Sequence, residues 1–154
     1  MKYAEVGTIS WATMREEDLI PIFAQQLLKL AKTQTPKMID HIREANKILS
    51  RVAVKEGYYG TEESSTDLNE TLFDALNYYA PVGCYFGAHP ADGSDYGFWP
   101  SEDFDREVDL IVPEKLNHVF DKDPKFTGLV LVNSVHRTTL YYLYQGVPLK
   151  LWEI

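Results

Sequence analysis

The chain is poor in cysteine and contains no long apolar run. Its one cysteine, Cys84, has no intramolecular partner for a disulfide, which indicates a reducing compartment. No apolar segment has the length needed to span a bilayer, and no secretory signal follows Lys2. These absences predict a cytoplasmic protein. Cys84 lies in an apolar run without a neighbouring cation, so its thiol is predicted to be buried and unreactive.

Motifs for nucleotide binding and for nucleophilic catalysis are also missing. The glycines lack the spacing of a Walker or Rossmann phosphate loop. Ser94 and Ser134 each lie near a histidine, but neither belongs to a nucleophile elbow. The sequence therefore predicts no cofactor and assigns no catalytic residue.

Basic residues are scarce in the middle of the chain. Residues 62–123 contain fifteen Asp and Glu against three Lys and Arg, a net charge of −12 within a chain of net charge −8. Such a segment repels nucleic acid, since phosphate binding needs clustered Lys and Arg. It attracts a basic partner and speeds its association, or it serves only as a solvated surface that aids solubility.

Apolar periodicity and capping signals predict three helices in the first half of the chain. Asp18 is an N-cap candidate for a helix that ends near Lys32, with Pro21 in the first turn. Thr35 followed by Pro36 starts a second helix with a stop near Gly57. Its apolar stripe comprises Ile39, Ile42, Ala45, Leu49 and Val52. Asp67 and Glu70 have capping-box spacing for a third, which ends at Ala80-Pro81. Its predicted apolar face comprises Leu68, Leu72, Phe73, Leu76 and Tyr79.

The second half reads mostly as strands. Residues 3–12 are either a short strand or an extended arm, and Leu116–Phe120 is predicted as a helical turn. Gln145-Gly146 is a tight-turn signal between the last two strands. The predicted strands are Cys84–Gly87, Tyr96–Trp99, residues 107–112, Gly128–Asn133, Thr138–Tyr144 and Val147–Trp152.

Helices followed by antiparallel strands, without strand-helix alternation, predict an α+β fold. We expect about three N-terminal helices packed on one face of an antiparallel sheet of about five strands, formed mainly by residues 83–154. The length fits a single globular domain, residues 1–154.

The segment from Cys84 to Pro100 is the one stretch where potentially reactive side chains cluster. It predicts a β-hairpin whose tip gathers His89, Asp92 and Asp95. Imidazole and carboxylate groups are ligands for a divalent ion, so these three residues are candidate metal ligands. Asp, Gly and Ser are equally ordinary turn residues, and the loop lacks the ligand series of an EF-hand.

Three segments together resemble a group of small proteins encoded by bacteriophages and other mobile elements of bacteria. They are DLIPIF at Asp18–Phe23, LFDALNYYAP at Leu72–Pro81 and GAHPADGSDYGFWP at Gly87–Pro100. The resemblance extends over most of the chain. It implies a bacterial cytosol and an accessory gene, and it assigns no functional residue. By analogy with small acidic phage proteins, it suggests inhibition of a bacterial defence or nucleic-acid-binding complex.

The first hypothesis is therefore a non-enzymatic accessory protein that binds the basic surface of another protein, with no direct contact to nucleic acid or membrane. The exposed carboxylates expected to make this contact are Glu62, Glu63, Asp67, Asp103, Asp105 and Asp109. Two alternatives stay open. One is a small hydrolase or metal-binding enzyme that uses the loop with His89, Asp92 and Asp95, and the other is a homo-oligomeric component of a particle.

Overall fold

The computed structural model of the chain describes residues 4–32, 35–54, 56–101, 109–111, 128–133, 137–144 and 147–154. Internal contacts divide the chain into two units. The first comprises Met1–Ala80 and Tyr85–Trp99, and the second comprises Pro81–Cys84 and Pro100–Ile154. The single domain expected for residues 1–154 stays a prediction.

Helices and a small sheet make up the first unit, so the α+β class is confirmed. Its helical segments are α1 (Glu16–Leu30), α2 (Pro36–Val54), and a third segment in which α3 (Glu62–Thr66), a π-helical stretch (Asp67–Leu72) and α4 (Phe73–Asn77) follow one another without a break. The three helical segments correspond to the three expected from the sequence. No helix in the described parts of the chain has both the length and the apolar character needed to cross a membrane.

Helix α1 begins earlier than the sequence predicts. Arg15, and not Asp18, is its N-cap, and Pro21 lies inside the helix. Asp18 instead accepts a hydrogen bond from the Thr13 hydroxyl, with an O–O distance of 2.7 Å. The first turn consists of Glu16, Glu17 and Asp18, whose negative charges interact favourably with the helix dipole. We infer that this interaction offsets the loss of one main-chain donor at Pro21.

Helix α2 begins where Thr35 and Pro36 predict it. The Thr35 hydroxyl accepts a hydrogen bond from the Met38 main-chain N–H at 3.4 Å. The predicted stripe is wrong at Ile39, which is 46% exposed. The fully buried residues of α2 are Met38, Ala45 and Ile48. Of the predicted stripe, Ala45 is therefore buried, and Ile42, Leu49 and Val52 are partly buried against the core.

Helix α3 also begins earlier than predicted. The capping box is formed by Thr61 and Ser64, each side chain accepting a hydrogen bond from the other's main-chain N–H. The Asp67–Glu70 capping box is wrong because Asp67 lies in mid-segment with its side chain buried. The predicted apolar face is correct for the buried residues Leu68, Leu72, Leu76 and Tyr79.

Two sheets replace the single sheet predicted from the sequence. The first contains β1 (Gly7–Ser10), β2 (Cys84–His89) and β3 (Asp92–Pro100) in the order β1-β3-β2, and β1 is antiparallel to β3. The second contains β4 (Asp109–Ile111), β5 (Gly128–Asn133), β6 (Thr138–Tyr144) and β7 (Val147–Glu153) in sequence order.

The second sheet is not purely antiparallel. Strands β5, β6 and β7 are antiparallel neighbours, but β4 pairs with β5 in parallel. A parallel pair needs a long connection, and residues 112–127 provide one. Alternation of apolar residues identifies each strand but does not specify its partner, which is why one sheet was expected. The predicted turns at Leu116–Phe120 and Gln145-Gly146 lie outside the described residues.

The core of the first unit is rich in aromatic side chains. The Phe23 ring contacts those of Phe73, Phe86 and Tyr96 edge to face, with centroid distances of 5.8, 5.0 and 5.7 Å. Such arrangements match the charge distribution of the rings. Tyr58, Tyr79 and Phe98 are at most 1% exposed. In the second unit, Trp152 Nε1 donates a hydrogen bond to the Val82 carbonyl at 2.8 Å.

His41 packs its ring edge to face against Tyr78 and Tyr79. Its Nδ1 lies 2.9 Å from the Tyr79 hydroxyl, and Lys37 stacks its ammonium on the adjacent Tyr78 ring. Burial and the positive charge of Lys37 lower the pKa of His41, against a smaller opposing effect of Asp40.

The folded state therefore resists protonation of His41 more than the unfolded chain does. As the pH falls below the ordinary histidine pKa of about 6.5, the unfolded state takes up this proton first, so stability is lost with falling pH. We expect His41→Gln to weaken the dependence of the free energy of unfolding on pH between about 7.5 and 5. Denaturant titrations at each pH measure it. Parallel profiles for the two proteins would contradict the assignment.

Candidate protein-binding surface

Glu16 links the N-termini of two helices in the first unit. Its Oε2 accepts hydrogen bonds from the Gly60 main-chain N–H at 2.9 Å and from the Ser64 hydroxyl at 2.6 Å. Glu16 belongs to the first turn of α1, whereas Gly60 precedes α3 and Ser64 lies in its first turn. The two helix starts are thereby held side by side.

Both first turns are acidic, and together they form a surface that we call the acidic face. Glu17 and Asp18 of α1 have side chains that are 44% and 45% exposed. Glu62 of α3 is exposed, and the Glu63 side chain is 38% exposed. The acidic face is defined by Glu16, Glu17, Asp18, Glu62 and Glu63.

Two arginines partly balance these carboxylates. Arg15 Nη2 lies 3.1 Å from Glu17 Oε1, and Arg51 Nε lies 3.2 Å from Glu63 Oε1. The Arg15 hydrogen bond lowers the pKa of Glu17. Since Arg51 also pairs with a buried carboxylate, negative charge remains in excess at the acidic face.

The turn that precedes α1 exposes two large apolar side chains beside this charge. Trp11 is 72% exposed and Met14 is 68% exposed. Between them Ala12 has φ of 61°, a left-handed conformation that non-glycine residues rarely adopt. The Thr13 hydroxyl, which accepts from the Arg15 main-chain N–H at 3.2 Å, fixes the turn to the helix. A strained backbone that holds apolar groups in solvent is a typical feature of contact sites.

Beneath the acidic face, Asp67 joins α2 to the third helical segment. Asp67 is 6% exposed, and its Oδ2 accepts hydrogen bonds from Arg51 Nη1 at 2.5 Å and from the Tyr58 hydroxyl at 2.8 Å. Burial and the bond to Asp67 raise the pKa of Tyr58, so its hydroxyl remains a donor. The cluster supports the surface from within: Tyr58 and Asp67 are buried, and the Arg51 side chain is 22% exposed.

The six carboxylates proposed from sequence therefore have different positions. Glu62 and Glu63 lie on the acidic face. The expectation that Asp67 is exposed is wrong, because burial with Arg51 and Tyr58 satisfies both the charge and the phenol. Asp103 and Asp105 lie outside the described residues, and Asp109 is described only as a main-chain position in β4.

The hairpin tip does not bring His89, Asp92 and Asp95 together as a metal site. Strands β2 and β3 extend further than predicted, so Asp95 lies within β3. Because residues three apart on a strand point to opposite faces, Asp92 and Asp95 diverge. Across the described ranges, no group of three His, Cys, Asp or Glu side chains has the arrangement to hold a metal ion.

His89 and Asp92 have local partners instead, whereas Asp95 Oδ2 accepts a hydrogen bond from the Thr8 hydroxyl of β1 at 3.2 Å. His89 Nδ1 accepts from the Ala91 main-chain N–H at 3.1 Å, and the His89 ring packs against Trp99 at a centroid distance of 4.6 Å. Asp92 Oδ1 accepts from the main chain and hydroxyl of Ser94, which lowers the Asp92 pKa. These are the contacts of residues that shape a hairpin.

The hydrolase hypothesis also lacks an activated thiol. Burial raises the pKa of the half-buried Cys84 to about 12, so the thiol is protonated at neutral pH. A nucleophilic cysteine requires the opposite shift. The thiol was expected to be buried and is half-buried; its low reactivity stays a prediction.

Sequence reasoning missed the part of the acidic face that α1 contributes. Residues 1–61 have a net charge of +2, which concealed the local run Glu16, Glu17 and Asp18. The sequence does contain the run Glu16 to Asp18, with Trp11 and Met14 before it. Nothing in the sequence indicates that this run lies close to Glu62. Comparison of the chain with family models, curated proteins and solved structures finds no match.

Proposed function

We propose that the protein binds the basic surface of another protein through the acidic face, with Trp11 and Met14 as apolar anchors beside it. The observation that carries the proposal is the Glu16 bridge, which joins two acidic helix starts next to exposed apolar side chains. Clustered carboxylates favour a cationic partner and accelerate association. Exposed tryptophan is favoured at binding hot spots because it buries a large area with few rotatable bonds.

The class of partner follows from this chemistry. A surface rich in Lys and Arg is typical of proteins that bind nucleic acid, and the acidic face competes for such a surface. Together with the resemblance to phage-encoded proteins, this supports an accessory role in a bacterial cytosol, where the protein inhibits a defence or nucleic-acid-binding complex. The acts of binding and blocking require no catalysis.

The proposal predicts charge-dependent capture of a basic protein. We expect the wild-type chain to retain a basic partner from bacterial lysate at low salt and to release it near 1 M salt, where screening acts within about 3 Å. Glu17→Lys with Glu62→Lys should weaken binding of the captured protein at least tenfold, because both substitutions reverse attractive charges. Trp11→Ala should weaken it about tenfold without changing the salt dependence.

The matched control reverses two exposed carboxylates outside the acidic face, Asp40 and Asp74. Asp40→Lys with Asp74→Lys changes the net charge equally and should leave affinity within about threefold of wild type. Equal weakening by both double variants would show that net charge alone is responsible. The proposal would be refuted if binding did not change with salt and if the double variant, Glu17→Lys with Glu62→Lys, bound as tightly as wild type.

A further inference from the structure

A groove lies between β1 and α1, and it shares no residue with the acidic face. Its volume is about 660 Å³, within the range of about 300–1,000 Å³ typical of ligand clefts. Thr8 and Ile9 line it from β1, and Ile22, Gln26 and Lys29 line it from α1. The three helix residues follow i, i+4, i+7 spacing, so one face of α1 forms the wall.

The strand side of this groove is a sheet edge. In the first sheet β1 pairs with β3 on one side, and no other strand of the described chain pairs with its second side. An edge strand presents main-chain N–H and C=O groups that another extended segment can pair with. The groove therefore combines main-chain hydrogen-bonding capacity with a helical wall, the arrangement by which peptides add to sheets.

The side chains of the groove specify the character of a ligand. Ile9, Ile22 and Leu30 are half-buried and pack on the core, so they form an apolar floor. Lys29 and Lys32 are exposed on the rim and make no hydrogen bond or ion pair with another described residue. One glutamate, Glu5, also lines the groove, so the lining has a net positive charge in a protein of net charge −8.

We propose that this groove binds an extended acidic segment of another protein, which adds to β1 as a further strand. Apolar residues of the ligand contact Ile9 and Ile22 on the floor of the groove, and its carboxylates pair with Lys29 and Lys32 at the rim. This second contact is independent of the acidic face, and it stands if the function proposed above fails.

The test uses the full chain and a fluorescein-labelled heptapeptide in which Glu and Val alternate. We expect fluorescence anisotropy to detect binding at physiological salt, where charges more than about 8 Å away are screened and the groove lysines dominate. Lys29→Glu with Lys32→Glu should weaken binding about tenfold or more, because attraction becomes repulsion. Lys47→Glu with Lys150→Glu is the matched control: it changes the net charge equally and should leave binding unchanged, since both lysines are exposed and neither lines the groove.

Two further peptides test the mode of binding. N-methylation of alternate residues removes main-chain donors, so the methylated peptide should bind at least tenfold more weakly if a strand is added. A heptapeptide of alternating Lys and Val should bind more weakly than the acidic one. Absence of binding up to about 1 mM, equal affinity for the basic peptide, or indifference to N-methylation would each overturn the proposal. A dimer in light scattering that blocks the groove would assign it to a second copy of the chain and overturn it too.

Discussion

Gly97→Ala is expected to lower the free energy of unfolding by about 3 kcal/mol. A Cβ at position 97 of β3 would lie 2.1 Å from the Gly7 carbonyl oxygen and 3.0 Å from the Thr8 Cα of β1. Both are main-chain atoms, so no side chain can rotate away to make room. Either β1 separates from β3 or both strands shift. Thermal and denaturant unfolding measure the loss, and hydrogen exchange at Gly7–Ser10 should show β1 less protected.

Gly93→Ala is the matched control within the same strand. A Cβ at Gly93 meets no atom within 4 Å, and its backbone needs no left-handed conformation. We expect Gly93→Ala to change the free energy of unfolding by less than about 0.5 kcal/mol. Similar stabilities for the two variants would mean that β1 and β3 do not approach as closely as described. Loss of peptide binding in Gly97→Ala would further link β1 to the groove.

Asp67→Ala is expected to cost about 3 kcal/mol of folding free energy, near the lower end of the range for breaking a buried ion pair. The substitution leaves the Arg51 guanidinium, which is 22% exposed, without its closest carboxylate, and it leaves the buried Tyr58 hydroxyl without an acceptor. For a chain of this length such a loss lowers Tm by about 6–12 °C. Calorimetry or circular dichroism measures the shift.

Asp74→Ala is the control for this experiment. Asp74 is exposed two residues after the end of the π-helical stretch, and its removal should change stability by less than about 0.5 kcal/mol. Asp67→Asn keeps an acceptor for Tyr58 but not the charge, so it should fall between wild type and Asp67→Ala. If Asp67→Ala were as stable as Asp74→Ala, the buried cluster would not hold α2 to the third helical segment.

The sequence located the helices better than their first residues. The Thr35-Pro36 signal placed the start of α2 correctly because a local hydrogen bond and a preset φ decide that start. The starts of α1 and α3 were missed. The α3 start has a local capping box, Thr61 with Ser64, but the prediction placed it at Asp67 instead. The contact that brings the two starts together joins Ser64 to Glu16, 48 residues apart, and leaves no local pattern.

The sequence predicted an acidic surface but identified only some of its residues correctly. Charge counting identified Glu62 and Glu63 as members of an acidic surface, but it also selected Asp67, which pairs with Arg51 inside the fold. Capping-box spacing also led to the incorrect prediction that Asp67 starts a helix. The spacing of charges along the chain does not show which carboxylate pairs with a buried cation. That pairing decides which carboxylates remain exposed.

The sequence by itself determined the α+β class, the three helical segments and most strand positions. Apolar periodicity and turn residues predict these features because they depend on local interactions. The tertiary structure alone decided that the strands form two sheets, that β1 joins β3 against Gly97, and that Glu16 connects two acidic helix starts. These features depend on residues far apart in the chain. Their pairing is set by the shape and hydrogen-bonding capacity of surfaces that exist only after folding.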